Sequence, residues 1–206
     1  MEPLNTILAR AGLAEVDPET TAQFEAYLSL ILRWNACLNL TAVRDEGSLI
    51  YNHLWESIAC AQALPQDITT LLDYGSGAGL PGIPIALCRP EIAVTLAESQ
   101  GKKAAFLQEA VRVLGIKTRV YPARAETQTE RYDCVTLRAV DKMPKAVEMA
   151  VKLLAPMGLL ALLTTTSDLP KLEVAADLGF SWSAPLRLPF SEQRILALGR
   201  LVNSPA

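Results

Sequence analysis

The chain has 206 residues, half of them apolar, and a formal net charge of −3. This length allows one sizeable domain with a large core and a small addition. No apolar run reaches the roughly 18 residues that a membrane-spanning helix needs. The first residues lack the basic start and apolar stretch of a signal peptide, so we expect a cytoplasmic protein.

The cysteines and the single histidine argue against a metal site. The sequence contains no Cys-x-x-Cys pair, and its only histidine is His53. A structural zinc site needs four closely grouped Cys or His ligands. We therefore expect no metal. We expect reduced, buried thiols at the four cysteines, which are Cys37, Cys60, Cys88 and Cys134.

The charges are unevenly distributed. Residues 101–152 hold 11 of the 19 Lys and Arg but only 6 of the 22 Asp and Glu. This asymmetry indicates a basic face on an otherwise acidic protein, although solvated helix surface would give the same pattern. A nucleic-acid partner, against which the net charge alone argues, therefore stays open.

Helical patterns occupy the first part of the chain. Asp17 and Pro18 form a typical helix start, with Asp as the N-cap and Pro in the first helical position. Apolar residues then recur at helical spacing. The predicted helices cover residues 3–12, 18–38 and 45–63. We interpret residues 1–65 as a helical cap packed on a main domain of residues 66–206, the two forming one compact unit.

From residue 70 onwards, strands and helices alternate. This order is typical of a mostly parallel, doubly wound α/β sheet. The last two strands follow each other through a tight turn and should be antiparallel. The predicted strands are 70–73, 92–97, 118–121, 133–137, 158–163, 185–190 and 194–202. The predicted helices between them are 83–88, 101–114, 144–154 and 168–178.

A glycine-rich loop follows the first predicted strand. Four glycines lie within eight positions, at Gly75, Gly77, Gly79 and Gly82, directly after Asp73. Glycine has no Cβ and tolerates positive φ, so a ligand can approach such a loop closely. Open α/β sheets bind ligands at the carboxyl ends of their strands. The acid and the first three glycines are therefore candidate cofactor-binding residues.

The loop fits two cofactors. Residues 77–82 match G-x-G-x-x-G, the fingerprint of dinucleotide binding, whereas residues 73–79 have the form D-x-G-x-G-x-G. The carboxylate of Asp73 would repel a pyrophosphate and attract a sulfonium group. Pro81 removes an N–H that a phosphate would use and restricts Leu80 to extended conformations. Both observations favour S-adenosylmethionine over NAD.

Two further positions are expected around an adenosine. Glu98 ends the second predicted strand, where an acid can accept hydrogen bonds from both ribose hydroxyls; a plain surface acid is the alternative. Ala125 and Glu126 follow the third predicted strand and are placed to frame an adenine, although an ordinary loop acid would look the same.

Six motifs together resemble the bacterial 16S rRNA guanine-N7 methyltransferase family, also called glucose-inhibited division protein B. They are residues 72–84 (LDYGSGAGLPGIP), 98–107 (ESQGKKAAFL), 124–126 (RAE), 39–42 (NLTA), 53–57 (HLWES) and 138–140 (RAV). The resemblance covers nearly the whole chain. It implies a class I S-adenosylmethionine-dependent methyltransferase fold: a Rossmann-like, mostly parallel seven-stranded sheet with an N-terminal helical cap.

The resemblance also implies a function: methyl transfer from S-adenosylmethionine to N7 of a specific guanine in the 16S rRNA of the small ribosomal subunit, by a monomer. The positions it assigns to the cofactor are Gly75, Leu80, Ala125, Glu126 and Arg138. The sequence departs from the family in two places. Thr164-Thr165 stands where the family usually has Lys-Gly, and Asn52 and Glu56 stand where it has Arg and Asp. These departures concern the RNA site.

The chemistry needs no general base, because guanine N7 carries a free lone pair and no proton. Catalysis would come mainly from holding N7 in line with the methyl group. Arg138, at the carboxyl end of the fourth strand, is the residue we expect to act by positioning, through a contact to the cofactor or to an RNA phosphate. A strand-end arginine paired with a nearby acid is the alternative.

Basic side chains are the candidates for RNA contact. They are His53, Lys102, Lys103, Lys142 and Lys145. His53 fits a packing role on an apolar helix equally, and the lysines fit a solvated surface. The residues alone leave three other functions open: a methyltransferase for a small molecule or protein, a non-catalytic nucleotide-binding module, and an NAD-dependent oxidoreductase.

Overall fold

A computed structural model describes residues 3–38, 48–140, 142–176 and 179–202, without the side chains of residues 37, 38 and 48–52. The NLTA motif lies outside the described residues. The helices are α1 (Leu4–Arg10), α2 (Pro18–Leu38), α3 (Ser48–Ala63), α4 (Gly82–Cys88), α5 (Gly101–Leu114), α6 (Met143–Val151) and α7 (Leu169–Ala176). The strands are β1 (Thr70–Tyr74), β2 (Ala93–Ala97), β3 (Arg119–Tyr121), β4 (Tyr132–Arg138), β5 (Leu154–Thr165), β6 (Phe180–Trp182), β7 (Leu186–Arg187) and β8 (Arg194–Leu201).

One sheet with the order β3-β2-β1-β4-β5-β8-β6 runs through the fold. Strands β1 to β5 are parallel, as the alternating pattern predicts, and β8 is antiparallel to β5. The predicted antiparallel pair of the last two strands is formed by β7 and β8. Strands β6 and β7 both pair with the free edge of β8, at Gly199 and Leu196 respectively. The described sheet therefore has eight strands instead of the predicted seven, because two short strands share one edge position.

The largest boundary error lies between α6 and β5. Helix α6 ends at Val151, three residues earlier than predicted, and β5 already begins at Leu154. Leu154 pairs with Tyr132, and the register then shifts before Cys134. Pro156 disfavours helical geometry in the residue before it, which is consistent with a chain that has already become extended there.

Two helix ends lie where strong capping residues in the sequence predict them. Asp17 caps α2 as predicted: its Oδ1 accepts a hydrogen bond from the Thr20 backbone N–H at 2.9 Å, and its Oδ2 accepts one from the Thr20 hydroxyl at 2.7 Å. Helix α5 ends at Gly115, whose φ of 64° lies in the left-handed region that glycine adopts without strain.

The N-terminal helices cover one face of the sheet. Phe24 of α2 and Ile58 of α3 are fully buried in the same hydrophobic cluster as Leu71 of β1 and Phe106 of α5. Leu72, which points to the opposite face, belongs to a second cluster with α6 and α7. The cap and the sheet thus share one core, and the boundary at residue 65 stays a prediction.

A buried arginine closes the end of α3. Arg89, which is 8% exposed, donates hydrogen bonds to the carbonyl oxygens of Ala61, Leu64 and Pro65. It also pairs with Glu91. The last carbonyls of a helix have no partner within the helix, so this side chain fastens the end of α3 to the region after α4.

Candidate active site

A pocket of about 650 Å³ lies at the carboxyl ends of β1, β2 and β3. Strand β2 lies on one side of β1 and β4 lies on the other, so the direction of the strand order reverses at β1. Open α/β sheets bind ligands at such a switch point. Of the predicted site residues, those that line the pocket are Gly75, Glu98, Ala125, Glu126, Lys142 and Lys145.

The three glycines of the loop have different surroundings. Gly75, Gly77 and Gly79 all have positive φ, at 70°, 58° and 87°. Gly75 lines the pocket, and a Cβ added there would lie 3.3 Å from Cγ2 of Val140, which also lines it. A Cβ at Gly79 would lie 2.5 Å from Cδ1 of Ile83. Gly75 therefore keeps the pocket open, whereas Gly79 allows the loop to pack on α4.

Glu98 holds the glycine loop in place from the end of β2. Its Oε2 accepts a hydrogen bond from the Gly77 backbone N–H at 2.9 Å, and its Oε1 accepts one from the Gln100 backbone N–H at 2.7 Å. A carboxylate can accept about four hydrogen bonds, so both oxygens keep a lone pair for a ligand. Glu98 thus has a structural role in the loop, and its ribose-binding role stays a prediction.

Asp73 lies beneath the loop and does not line the pocket. Its Oδ2 accepts a hydrogen bond from the Gly82 backbone N–H at 3.2 Å, and its Oδ1 accepts one from the Thr136 hydroxyl at 3.0 Å. Burial raises the pKa of Asp73 to about 6, although these hydrogen bonds and Arg138 oppose the rise. Asp73 is 1% exposed, and its contact with a cationic ligand stays a prediction. Leu80 likewise lies in the hydrophobic core.

The side of the pocket after β3 carries an acid with a tyrosine partner. Ala125 and Glu126 open a short 3₁₀ helix at Ala125–Thr127 and line the pocket beside Tyr74. Burial, followed by a hydrogen bond to Glu126, raises the pKa of Tyr74. The Tyr74 hydroxyl therefore stays protonated.

Arg138 ends β4 and is paired with an acid, as its structural alternative predicts. Its Nε lies 3.6 Å from Oε2 of Glu56 in α3. Arg194, the first residue of β8, donates from Nη2 to the same oxygen at 2.9 Å, and Nδ1 of His53 lies 3.4 Å from it. Burial raises the pKa of Glu56, but the hydrogen bond with His53 and the two arginines outweigh it and lower that pKa below its ordinary value.

The lysines fall into two groups. Lys142, which has a φ of 51°, precedes α6, and Lys145 donates to Oε2 of Glu148 at 2.7 Å. Both line the pocket. Lys102 and Lys103 begin α5 outside the pocket. Two of the four lysines therefore lie at the pocket, and their contacts with RNA stay predictions.

The described cysteines indicate no further functional site. Cys60, Cys88 and Cys134 are free thiols, and burial raises the pKa of Cys60 to about 12. The Cys37 side chain lies outside the described part. Among the described residues, no group of acids, histidines or cysteines could hold a metal, and no helix is long and apolar enough to cross a membrane.

Comparison with known proteins decides the family. The family model described as rRNA small subunit methyltransferase G matches residues 20–190. The protein of that name from Xanthomonas campestris pv. campestris (strain B100) is 41% identical, over 84% of this chain and 83% of the relative. This chain belongs to the rRNA small subunit methyltransferase G family. A member from Roseiflexus sp. (strain RS-1) is 40% identical, over 75% of this chain and 71% of its own.

Solved structures confirm the fold expected for this family. The chain is similar to TYW2 of P. horikoshii in complex with MeSAdo, with a TM-score of 0.60 at 14% identity, over 74% of this chain and 64% of the other. It is also similar to the mitomycin 7-O-methyltransferase MmcR, with a TM-score of 0.61 at 14% identity, over 89% and 69%. The predicted class I, Rossmann-like fold is confirmed apart from the strand count.

The sequence analysis did not identify Glu56 and Arg194 as partners. Glu56 was noted only as a departure from the family pattern, and Arg194 was not singled out. The two residues are 138 positions apart, so no local pattern joins them. Tyr27 was also missed: its buried hydroxyl donates to the carbonyl oxygen of Ala78 in the glycine loop at 2.6 Å. The HLWES motif was the one available signal.

Proposed function

We propose that this protein transfers a methyl group from S-adenosylmethionine to N7 of a guanine in the 16S rRNA of the small ribosomal subunit, acting as a cytoplasmic monomer. The observation that carries the proposal is the pocket that Gly75 and Glu98 both line, in a chain that belongs to this family. The name of the relatives, ribosomal RNA small subunit methyltransferase G, supports an rRNA substrate. The motif resemblance supports the N7 position.

The pocket residues fit an adenosyl group. The volume of about 650 Å³ is in the range of small-molecule sites. Glu98 keeps acceptor capacity for ribose hydroxyls, and Glu126 lies where the base would be framed. Gly75 leaves free the space that a Cβ would take towards Val140. When bound, S-adenosylmethionine supplies an electrophilic methyl group on a sulfonium centre.

The protein's part in the reaction is to bind and to orient. Guanine N7 has no proton to remove, so no side chain needs to act as a general base. The single histidine, His53, lies beside Glu56, with its Nδ1 3.4 Å from Oε2. Arg138 is the residue we propose for positioning, because it ends β4 two residues before Val140 of the pocket wall. Rate enhancement then comes from alignment in a partly dry site.

Lysines at the pocket and at the start of α5 supply the proposed RNA face. Lys142 and Lys145 line the pocket, and Lys102 and Lys103 lie in the first turn of α5. Lysine ammonium groups position a nucleic acid through its phosphates without reading its sequence. Base selection then falls to the pocket itself.

The test is to locate a transferred label. The protein is incubated with methyl-labelled S-adenosylmethionine and, separately, with small ribosomal subunits, naked 16S rRNA, a protein extract and a metabolite extract. We expect label on a guanine N7 of 16S rRNA. Label on a metabolite or protein instead supports the alternative methyltransferase function. Cofactor binding without label in any arm supports a non-catalytic module.

Salt dependence tests the RNA face separately. Between 50 and 200 mM salt we expect rRNA affinity to fall by about tenfold or more, and cofactor affinity to change by less than about twofold. Lys142→Ala should reduce the slope of log affinity against log salt by about 1. Lys117→Ala, at an exposed lysine before β3 and at the opposite edge of the sheet, is the matched control and should leave the slope unchanged.

A further inference from the structure

Side chains from three elements converge on one buried carboxylate. Glu56 of α3 is 2% exposed. It pairs through Oε1 with Nε of Arg194, and its Oε2 accepts from Nη2 of Arg194 at 2.9 Å. The Nε of Arg138 and the Nδ1 of His53 lie 3.6 Å and 3.4 Å from the same Oε2. We call these four residues the Glu56 cluster.

The cluster joins the cap to the carboxyl edge of the sheet. Arg138 pairs with Leu163 of β5, and Arg194 pairs with Thr165 at the end of the same strand. The two arginines therefore flank β5 at the edge where the pocket lies. Thr165 is one of the two threonines that stand in place of the family's Lys-Gly, so Arg194 brings a positive charge beside that position.

The charges of the cluster do not cancel. One carboxylate faces two guanidinium groups, which would repel each other without it. The Nε of Arg138 is buried and donates no hydrogen bond within the part of the chain that the structure describes. Asp73 also attracts Arg138, and above about pH 6 its carboxylate balances the second guanidinium. The Nε of Arg138 remains a donor without a described acceptor, which suits an acceptor such as an anion.

We propose that Glu56 is a positioning residue for methyl transfer, which holds Arg138 and Arg194 in place to bind the phosphate oxygens of the target nucleotide. The inference rests on the proposed function. A guanidinium binds phosphate through two parallel N–H donors, so its orientation matters as much as its charge. Glu56 fixes that orientation from the cap, because Oε1 and Oε2 contact different nitrogen atoms of Arg194.

The experiment uses the full chain and small ribosomal subunits. Glu56→Gln should lower kcat/KM for the subunit by about 10- to 100-fold, because the arginines lose their anchor. The dissociation constant for S-adenosylhomocysteine, measured by calorimetry, should stay within about twofold. Glu56→Asp keeps the charge and should recover part of the rate. Glu109→Gln, at a surface acid paired with Arg112, is the matched control and should match the wild type.

A double-mutant comparison separates positioning from general structural support. If Glu56 acts through Arg194, the variant with both Glu56→Gln and Arg194→Gln should be no more than about twofold slower than Arg194→Gln alone. If Glu56→Gln does not fold, Glu56→Asp takes its place in the same comparison.

Three results overturn the inference. The first is that the rate losses of Glu56→Gln and Arg194→Gln multiply in the double variant, and the second is a wild-type rate in Glu56→Gln. The third is that Glu56→Gln loses as much affinity for S-adenosylhomocysteine as it loses rate. If any of these occurs while the wild type transfers methyl groups, the inference fails and the proposed function stands. If the wild type transfers none to rRNA, the proposed function fails and takes the inference with it.

Discussion

The backbone N–H of Gly77 donates a hydrogen bond of 2.9 Å to Oε2 of Glu98. The loop after β1 is thereby tied to the end of β2, across the mouth of the pocket. Since the second oxygen of Glu98 accepts from Gln100 at 2.7 Å, a single carboxylate orders two segments that line the site. Its negative charge suits this task, because hydrogen bonds to an ionised acceptor are stronger than neutral ones.

Glu98→Gln should weaken the binding of S-adenosylhomocysteine by about 10- to 100-fold, since hydrogen bonds to a charged group contribute about 1.5 to 3 kcal/mol. The amide keeps one oxygen and turns an NH₂ group towards the other backbone N–H. Isothermal titration calorimetry measures the change. Glu130→Gln, at an exposed acid outside the pocket, is the control. A loss below about threefold would count against the role of Glu98.

Gly75→Ala should weaken cofactor binding by about tenfold, because the new Cβ would lie 3.3 Å from Val140 and would narrow the pocket. The φ of 70° adds strain of about 1 kcal/mol. Gly115→Ala is the matched control: it has a φ of 64°, and its Cβ would meet nothing within 4 Å. We expect it to lose similar stability and to keep full cofactor affinity. Equal affinities for the two variants would contradict the prediction.

Gly82→Ala should lower the free energy of unfolding by about 2 to 3 kcal/mol, because overpacking a buried site forces neighbours to shift. Its Cβ would lie 2.3 Å from Cδ2 of Leu96 and 2.7 Å from Oδ2 of Asp73. Gly101→Ala, at the start of α5 with nothing within 4 Å, should change stability by less than about 0.5 kcal/mol. Urea unfolding of both variants gives the comparison. A Gly82→Ala variant as stable as Gly101→Ala would show that the site can relax.

The ionisation of Asp73 should oppose folding above about pH 6. Burial raises its pKa from 3.8 to about 6 in the folded protein. Below pH 3.8 the carboxyl is protonated in both the folded and the unfolded state and causes no loss of stability. As the pH rises from about 4 to about 6, the unfolded state loses its proton first, so stability falls, by about 3 kcal/mol in all at about 1.36 kcal/mol per pKa unit.

Asp73→Asn tests this pH dependence. The amide keeps an oxygen for the Gly82 N–H and can donate to the Thr136 hydroxyl. We expect the variant to gain stability relative to the wild type between pH 4.5 and pH 7.5, measured by urea unfolding at both values. A difference between the two proteins that does not change with pH would refute the raised pKa.

Elements with a local cause could be predicted from the sequence. The start of α2 follows from Asp17 and Pro18, and the limits of α5 follow from apolar spacing and from Gly115. The pocket could be placed because strand ends of a parallel sheet meet at one edge. Gly75, Glu98 and Glu126 line it for that reason.

Features that depend on distant partners could not be predicted. Strand β6 has three residues and forms by pairing with the free edge of β8. Asp73 accepts hydrogen bonds from Gly82 and Thr136 under the loop, and the sequence pattern does not indicate these contacts. Glu56 and Arg194 meet only after the cap has packed on the sheet. In each case the decisive contact lies far away in the sequence.

The two edges of the sheet also bear on self-association. Strand β3 has three residues and carries Arg119, and the opposite edge is divided between β6 and β7. Neither edge presents a long, flat row of unpaired backbone groups, which would allow another chain to add a strand. The longest apolar strand, β5, is enclosed between β4 and β8. A chain with this much aliphatic sequence is thus protected, once folded, against pairing with its own copies.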